Sequence, residues 1–137
     1  MIISHSKPFY TPQSEKILSE LLERGEHNIG QTRDKFERKI SEFINSKYSF
    51  AVSSGSAALH LALLGLGIGK EDNVILPSFT CSAVLNSVLY VGANPIFVDI
   101  DETSFNISNE TVSDALHRES IHSSDIKCAI TVHNFGC

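Results

Sequence analysis

The residues best suited to chemistry lie in Ser53-Ser54-Gly55-Ser56-Ala57-Ala58, where a short apolar run meets a stretch that is apolar nearly all round a helix. A helix start presents backbone N–H groups without acceptors, together with the positive end of the helix dipole. Such a place suits an anion, commonly a phosphate. Gly55 allows the backbone to approach a ligand, and the small side chains of Ser56, Ala57 and Ala58 leave room for one. A ligand-free, capped helix start explains the stretch equally well on spacing alone, because Ser is a favoured N-cap.

Other polar residues invite milder readings. His60 stands between Leu59 and Leu61 on the same apolar helix and reads as a packed, hydrogen-bonded side chain rather than a ligand. Asp99 and Asp101, in VDID, follow a strand and read as turn formers rather than as a catalytic carboxylate pair. His133, in VHNFG, ends a strand at the edge where parallel α/β sheets bind ligands, and it reads as support for a site there. Cys81, Cys128 and Cys137 are odd in number and lack metal-like spacing, which fits reduced thiols in a cytoplasmic protein.

The elements that must position these residues follow from pattern. Thr11-Pro12 is a helix opening, with a capping hydroxyl and a proline in the first turn, and Gly25 is placed to end that helix. Phe36, Ile40, Phe43 and Ile44 recur at i, i+4, i+7 and i+8, which predicts a second helix with one buried stripe. Beyond residue 48 the elements alternate. Strands are expected near residues 49–53, 73–76, 95–99 and 127–133, and helices over 56–64, 81–91 and 109–118. Gly65, Gly67 and Gly69 stop the first of these helices and Gly92 the second. The β-α-β-α-β-α-β order predicts an α/β layer with a largely parallel sheet.

A chain of 137 residues can bury a real core, and 42% hydrophobic with 20% charged residues excludes a disordered polypeptide. The net charge of −5, with basic residues scattered, argues against nucleic acid and acidic membrane surfaces as partners. The start lacks a signal pattern, and no apolar run approaches membrane-spanning length. The last strand candidate is followed by a few residues and no covering helix, so the chain reads as cut.

The block from SGSAALHLAL through DNVILPSFT to NPIFVDID, flanked by SKPFY, FERKISEF and ITVHNFG, resembles the DegT/DnrJ/EryC1/StrS family of pyridoxal-phosphate-dependent sugar aminotransferases. The resemblance implies a partial three-layer large domain of the fold-type I aminotransferases, with a mostly parallel sheet of order 3-2-4-5-6-7-1. This chain would supply the first four strands. It implies a helical segment over 1–47 and the first part of the cofactor-binding domain over 48–137. It assigns the cofactor phosphate to Gly55, Ser56 and Ala57, with Ser56 keeping the hydroxyl of a common Thr. It places Cys81 where an aromatic side chain commonly stacks on the cofactor ring, and a thiol offers far less surface. On the residues alone, Cys81 reads equally as a small buried filler, and Phe79 reads as core. Residues 28–31 would lie near the active site.

By the same resemblance, the lysine that links covalently to the cofactor and the acid that pairs with its ring nitrogen lie beyond Cys137. None of the seven lysines present matches that position, so no catalytic residue and no metal ligand is assigned, and this polypeptide alone is expected to be inactive. The implied whole is a cytoplasmic homodimer that aminates a keto group of a nucleotide-linked sugar, with glutamate as donor. A sugar dehydratase of the same fold and a non-catalytic α/β binding module remain as alternatives.

Overall fold

The computed structural model describes residues 7–25 and 30–136, which form parts of two compact units, Met1–Ala51 and Val52–Cys137. Residues 28 and 29 of the expected active-site segment, and Cys137, lie outside the described residues.

The first unit carries two helices. α1, Pro12–Glu23, opens on Thr11, whose hydroxyl accepts the Ser14 amide at 3.1 Å, and it closes before Gly25 at φ 65°. α2, Gln31–Phe43, holds the expected apolar stripe, but the stripe is not buried: Phe36, Phe43 and Ile44 are all exposed. The spacing identified one face of a helix correctly; no described neighbour covers that face. Residues 49–53 depart from expectation too, for they form no strand. Ser49 Oγ donates to the carbonyl of Glu37, and the Ala51 amide donates to Glu37 Oε1 at 2.8 Å. A strand exists only through a partner's ladder, and here polar groups of α2 take part of that role.

The second unit is a three-layer α/β arrangement. α3, Gly55–Gly65, leads into β1, Asn73–Pro77; α4, Ser82–Tyr90, leads into β2, Asn94–Val98; α5, Asn109–Arg118, leads through a 3-10 turn into β3, Ile126–Ala129. All pairings are parallel and the sheet order is β2-β1-β3. This is the 3-2-4 part of the expected order, with residues 49–53 not joining the sheet. Asn73 pairs with Asn94 and Pro77 with Val98 across β1 and β2, whereas β1 and β3 slip by one residue between Asn73 and Val74. β3 ends at Ala129, shorter than the expected 127–133, although the Ile130 amide still donates to the Ile75 carbonyl at 2.8 Å.

Strand alternation divides the core between the two sheet faces. Val74 meets Leu63 of α3 and Val88 of α4 on one face. Ile75 meets Val98 and Ala115 of α5 on the other. A strand covered on both sides has no solvent face, which is why β1 reads NVILP with Val74 to Pro77 all buried. The turn from α4 into β2 requires Gly92 at φ 77°; it lets the Ala93 amide return to the Val88 carbonyl at 3.2 Å.

Candidate functional site

The carboxyl ends of β1, β2 and β3 open into loops 78–81, 99–108 and 130–136. Parallel α/β sheets place ligands at that edge, because the helices that follow present their N-termini there. α4 begins from the first loop and α5 from the second, while α3 precedes β1.

Ser54 is the N-cap of α3, extended at φ −161° and ψ 161°, and its hydroxyl accepts the Ala57 amide at 3.1 Å. The Ala58 amide is bonded to the Ser54 carbonyl at 3.0 Å. The amides of Gly55 and Ser56 therefore remain as donors with no acceptor among the described residues. A Cβ added at Gly55 would meet nothing within 4 Å. The turn offers two donors on an 11-residue helix of unpaired dipole, with no acidic side chain in its first turn. Of the three residues assigned to phosphate, Gly55 and Ser56 have amides without an acceptor among the described residues, whereas the Ala57 amide is already bonded to Ser54.

Cys81 is the N-cap residue of α4, with φ −71° and ψ 149°, and makes no capping hydrogen bond. It is exposed, which corrects its reading as a buried filler. The position after Thr80 precedes a helix whose inward turn is occupied by Val84 and Ser87, so the thiol stays outside the core. Cys128 differs: it packs beside Val74 and Val88, and burial pushes its thiol pKa up.

The two aspartates serve the loop after β2. Asp99 Oδ1 accepts the Ile100 amide at 2.8 Å and the Ser78 hydroxyl at 3.3 Å, tying that loop to the end of β1. Asp101 Oδ1 accepts the amides of Ser104 at 2.8 Å and Thr103 at 3.0 Å. Those bonds, Ser104 first, hold the Asp101 carboxyl below the ordinary carboxylate range. His60 lies on α3 with its ring 5.6 Å from that of Tyr90 on α4, a helix-to-helix contact rather than a ligand position. His133 is exposed on the loop that leaves β3, and its carbonyl accepts the Gly136 amide at 3.3 Å.

Sequence reasoning missed an aromatic row at the same edge. Phe79, Phe105 and Phe135 come from three different loops, with ring centroids 5.9 Å apart for the first pair and 5.7 Å for the second. Their only sequence signal is one Phe in each strand-exit loop, and nothing in the spacing says that these loops meet. Phe79 is half-exposed, which corrects its reading as core. A recess of about 540 Å³ lined by Leu116, His117, Ile121 and His122 lies at the other edge, where α5 returns to the start of β3, away from these groups. Among the described residues no cluster of His, Cys, Asp and Glu could hold a metal, and no helix is long and apolar enough to cross a membrane.

Known proteins share this fold. The chain is 34% identical to a GDP-perosamine synthase of Vibrio cholerae over 94% of its own length and 35% of that protein. The aminotransferase from Psychrobacter cryohalolentis superposes with a TM-score of 0.81 at 32% identity, over 93% of this chain and 31% of that one. NtdA from Bacillus subtilis, solved with bound cofactor PMP, superposes with a TM-score of 0.77 at 33% identity, over 89% of this chain and 27% of that one. The chain thus spans about a third of the length of these relatives. The fold is a partial large domain of the fold-type I aminotransferases. The model of the DegT/DnrJ/EryC1/StrS aminotransferase family matches residues 10–137, and on that match the chain belongs to this family.

Proposed function

We propose that the complete protein bearing this chain is a pyridoxal-phosphate-dependent aminotransferase that aminates a keto group of a nucleotide-linked sugar, with glutamate as amino donor. The observation that carries the reading is the start of α3, where the amides of Gly55 and Ser56 have no acceptor among the described residues and a Cβ at Gly55 would meet nothing within 4 Å. Free amides at a helix start suit a phosphate monoester, and the relatives include a GDP-perosamine synthase and an enzyme solved with PMP.

In this reading Gly55 and Ser56 donate their amides to the phosphate, the Ser56 hydroxyl adds a third donor, and the methyl of Ala57 leaves the space clear. Cys81 faces the ring from the start of α4 and supplies contact but little stacking surface. The cofactor supplies the electron sink that lets an amino group change carbon partners. The chain's own contribution is binding and orientation. Its lysines sit in α1, α2, β3 and connecting segments, and none occupies the loops leaving β1, β2 and β3. In this reading the covalent lysine and the ring-pairing acid come from the rest of the enzyme, as the family resemblance implies. A homodimer in the cytoplasm is part of the same reading and rests on the family resemblance.

The test is the complete protein, incubated with pyridoxal phosphate, glutamate and a GDP-linked 4-keto sugar. An amino sugar and 2-oxoglutarate in equal amounts are expected. A deoxy product with water lost would replace this reading by a dehydratase, and absence of a cofactor absorption band would remove it.

A further inference from the structure

We propose that Asn134 is a positioning residue for the loop that carries Cys81, acting through the row of three phenylalanines. The Nδ2 of Asn134 donates to the Phe105 carbonyl at 2.6 Å, and its backbone amide donates to Asn106 Oδ1 at 3.0 Å. These two bonds clasp the loop leaving β3 to the loop leaving β2 across 28 to 29 positions of sequence. Both phenylalanines beside the clasp carry left-handed backbone, Phe105 at φ 58° and Phe135 at φ 57°. Residues with a β-carbon seldom hold that conformation unless their surroundings fix it. Here the Asp101 carboxylate and carbonyl fix one side, the latter accepting the Phe105 amide at 2.9 Å, and Asn134 fixes the other.

The clasp has a consequence further along. With its backbone held, the ring of Phe105 meets Phe135 edge-on at 85° and meets Phe79 at 48°. Phe79 stands two residues before Cys81, in the four-residue loop between β1 and α4. Neither Cys81 nor any other side chain caps α4, so the loop lacks the local hydrogen bond that usually fixes a helix start. The ring contact with Phe105 is a support for that loop from outside it. Asn134 thus sets the position of Cys81 through Phe105 and Phe79 without touching it.

The functional consequence rests on Cys81 facing the cofactor ring, as proposed above; the mechanical one does not, and the two are measured separately. In the complete protein, hydrogen exchange at the amides of Phe79, Thr80 and Cys81 is compared among the parent, Asn134→Leu, Phe105→Ala and the double variant. Exchange is expected to rise by about 3- to 10-fold in Asn134→Leu, the scale of one lost hydrogen bond. The double variant is expected to match Phe105→Ala alone, because residues acting in one line do not add. Unchanged exchange in a folded Asn134→Leu protein, or full additivity in the double variant, would overturn the proposal. Should Asn134→Leu not fold, Asn134→Asp keeps the size and removes the donor, with the same outcomes deciding. Titration with pyridoxal phosphate reads the second arm, where weakening by a similar factor is expected. If the parent binds no pyridoxal phosphate, the functional reading fails while the exchange data still decide the role of Asn134.

Discussion

The Ser54 hydroxyl accepts the Ala57 amide at 3.1 Å, and that single bond decides which donors the start of α3 can offer a ligand. It withdraws one amide of the first turn and leaves those of Gly55 and Ser56. The cap and the ligand site share one turn, so their contributions can be separated by substitution.

Ser54→Ala removes the cap and is expected to lower stability by about 1 kcal/mol, the usual cost of losing an N-cap hydroxyl. The Ala57 amide becomes free, so affinity for pyridoxal phosphate should hold or rise in the complete protein. Denaturant unfolding and a cofactor titration check the pair of effects. A cofactor loss larger than the stability loss would mean that the Ser54 hydroxyl itself contacts the ligand.

Gly55→Val is expected to act the opposite way. A Cβ there meets nothing within 4 Å and Gly55 is not at positive φ, so the fold should tolerate the branch. On the proposed phosphate site the branched side chain crowds the helix start, and cofactor affinity should drop by about 10-fold or more, the scale of one lost charge-assisted hydrogen bond. Unchanged affinity in a stable variant would count against the phosphate assignment.

The polypeptide of these 137 residues is expected to form no specific covalent adduct with pyridoxal phosphate. Phosphate donors hold a ligand in place, but the link needs a lysine at the ring, and no lysine stands on the three strand-exit loops. Borohydride reduction followed by peptide mass spectrometry should show scattered, substoichiometric modification. Stoichiometric labelling of a single lysine would refute the expectation.

The same polypeptide is expected to be marginally stable and prone to aggregate. Phe50 is 81% exposed and Leu61 and Leu64 about half, and residues 49–53 have no strand partner among the described residues. Exposed apolar side chains beside unpaired backbone invite association between copies. Ultracentrifugation and thermal unfolding test this; a soluble monomer with a cooperative transition and protected amides at 49–53 would show it to be wrong.

The loop at Asp101 should respond to acid. Its pKa is depressed by the Ser104 and Thr103 bonds, so its contribution is present above the unfolded carboxylate value, about 3.9, and is lost as pH falls through the lower folded one. Amide resonances of Thr103 and Ser104 should therefore shift together below about pH 4, in the range set by that depression. Asp101→Asn keeps an acceptor oxygen and should abolish the shift without unfolding the loop. A shift that persists in this variant would assign the titration to another group.

The local elements were legible in the sequence because their causes are local. Thr11-Pro12, Ser54 before Gly55, and the glycines at 67 and 92 act within one turn of chain, and α1, α3 and α4 begin and end close to where those residues put them. β1 was legible as a short apolar run, since burial on both faces leaves no polar alternation to confuse it. The donor turn at Gly55 was also legible, being a helix start whose chemistry is carried by backbone.

Tertiary structure decided what depends on partners distant in sequence. Residues 49–53 have the composition of a strand, yet hydrogen bonding to a ladder is a property of two segments, and Glu37 took the Ala51 amide instead. The stripe on α2 had the right period, but period cannot say whether another surface arrives to cover it. Asn134 and Phe105 are 29 positions apart, and each alone is an ordinary loop residue. Only the parallel sheet, by setting the ends of β2 and β3 on either side of β1, brought the three loops together and made a row from their rings.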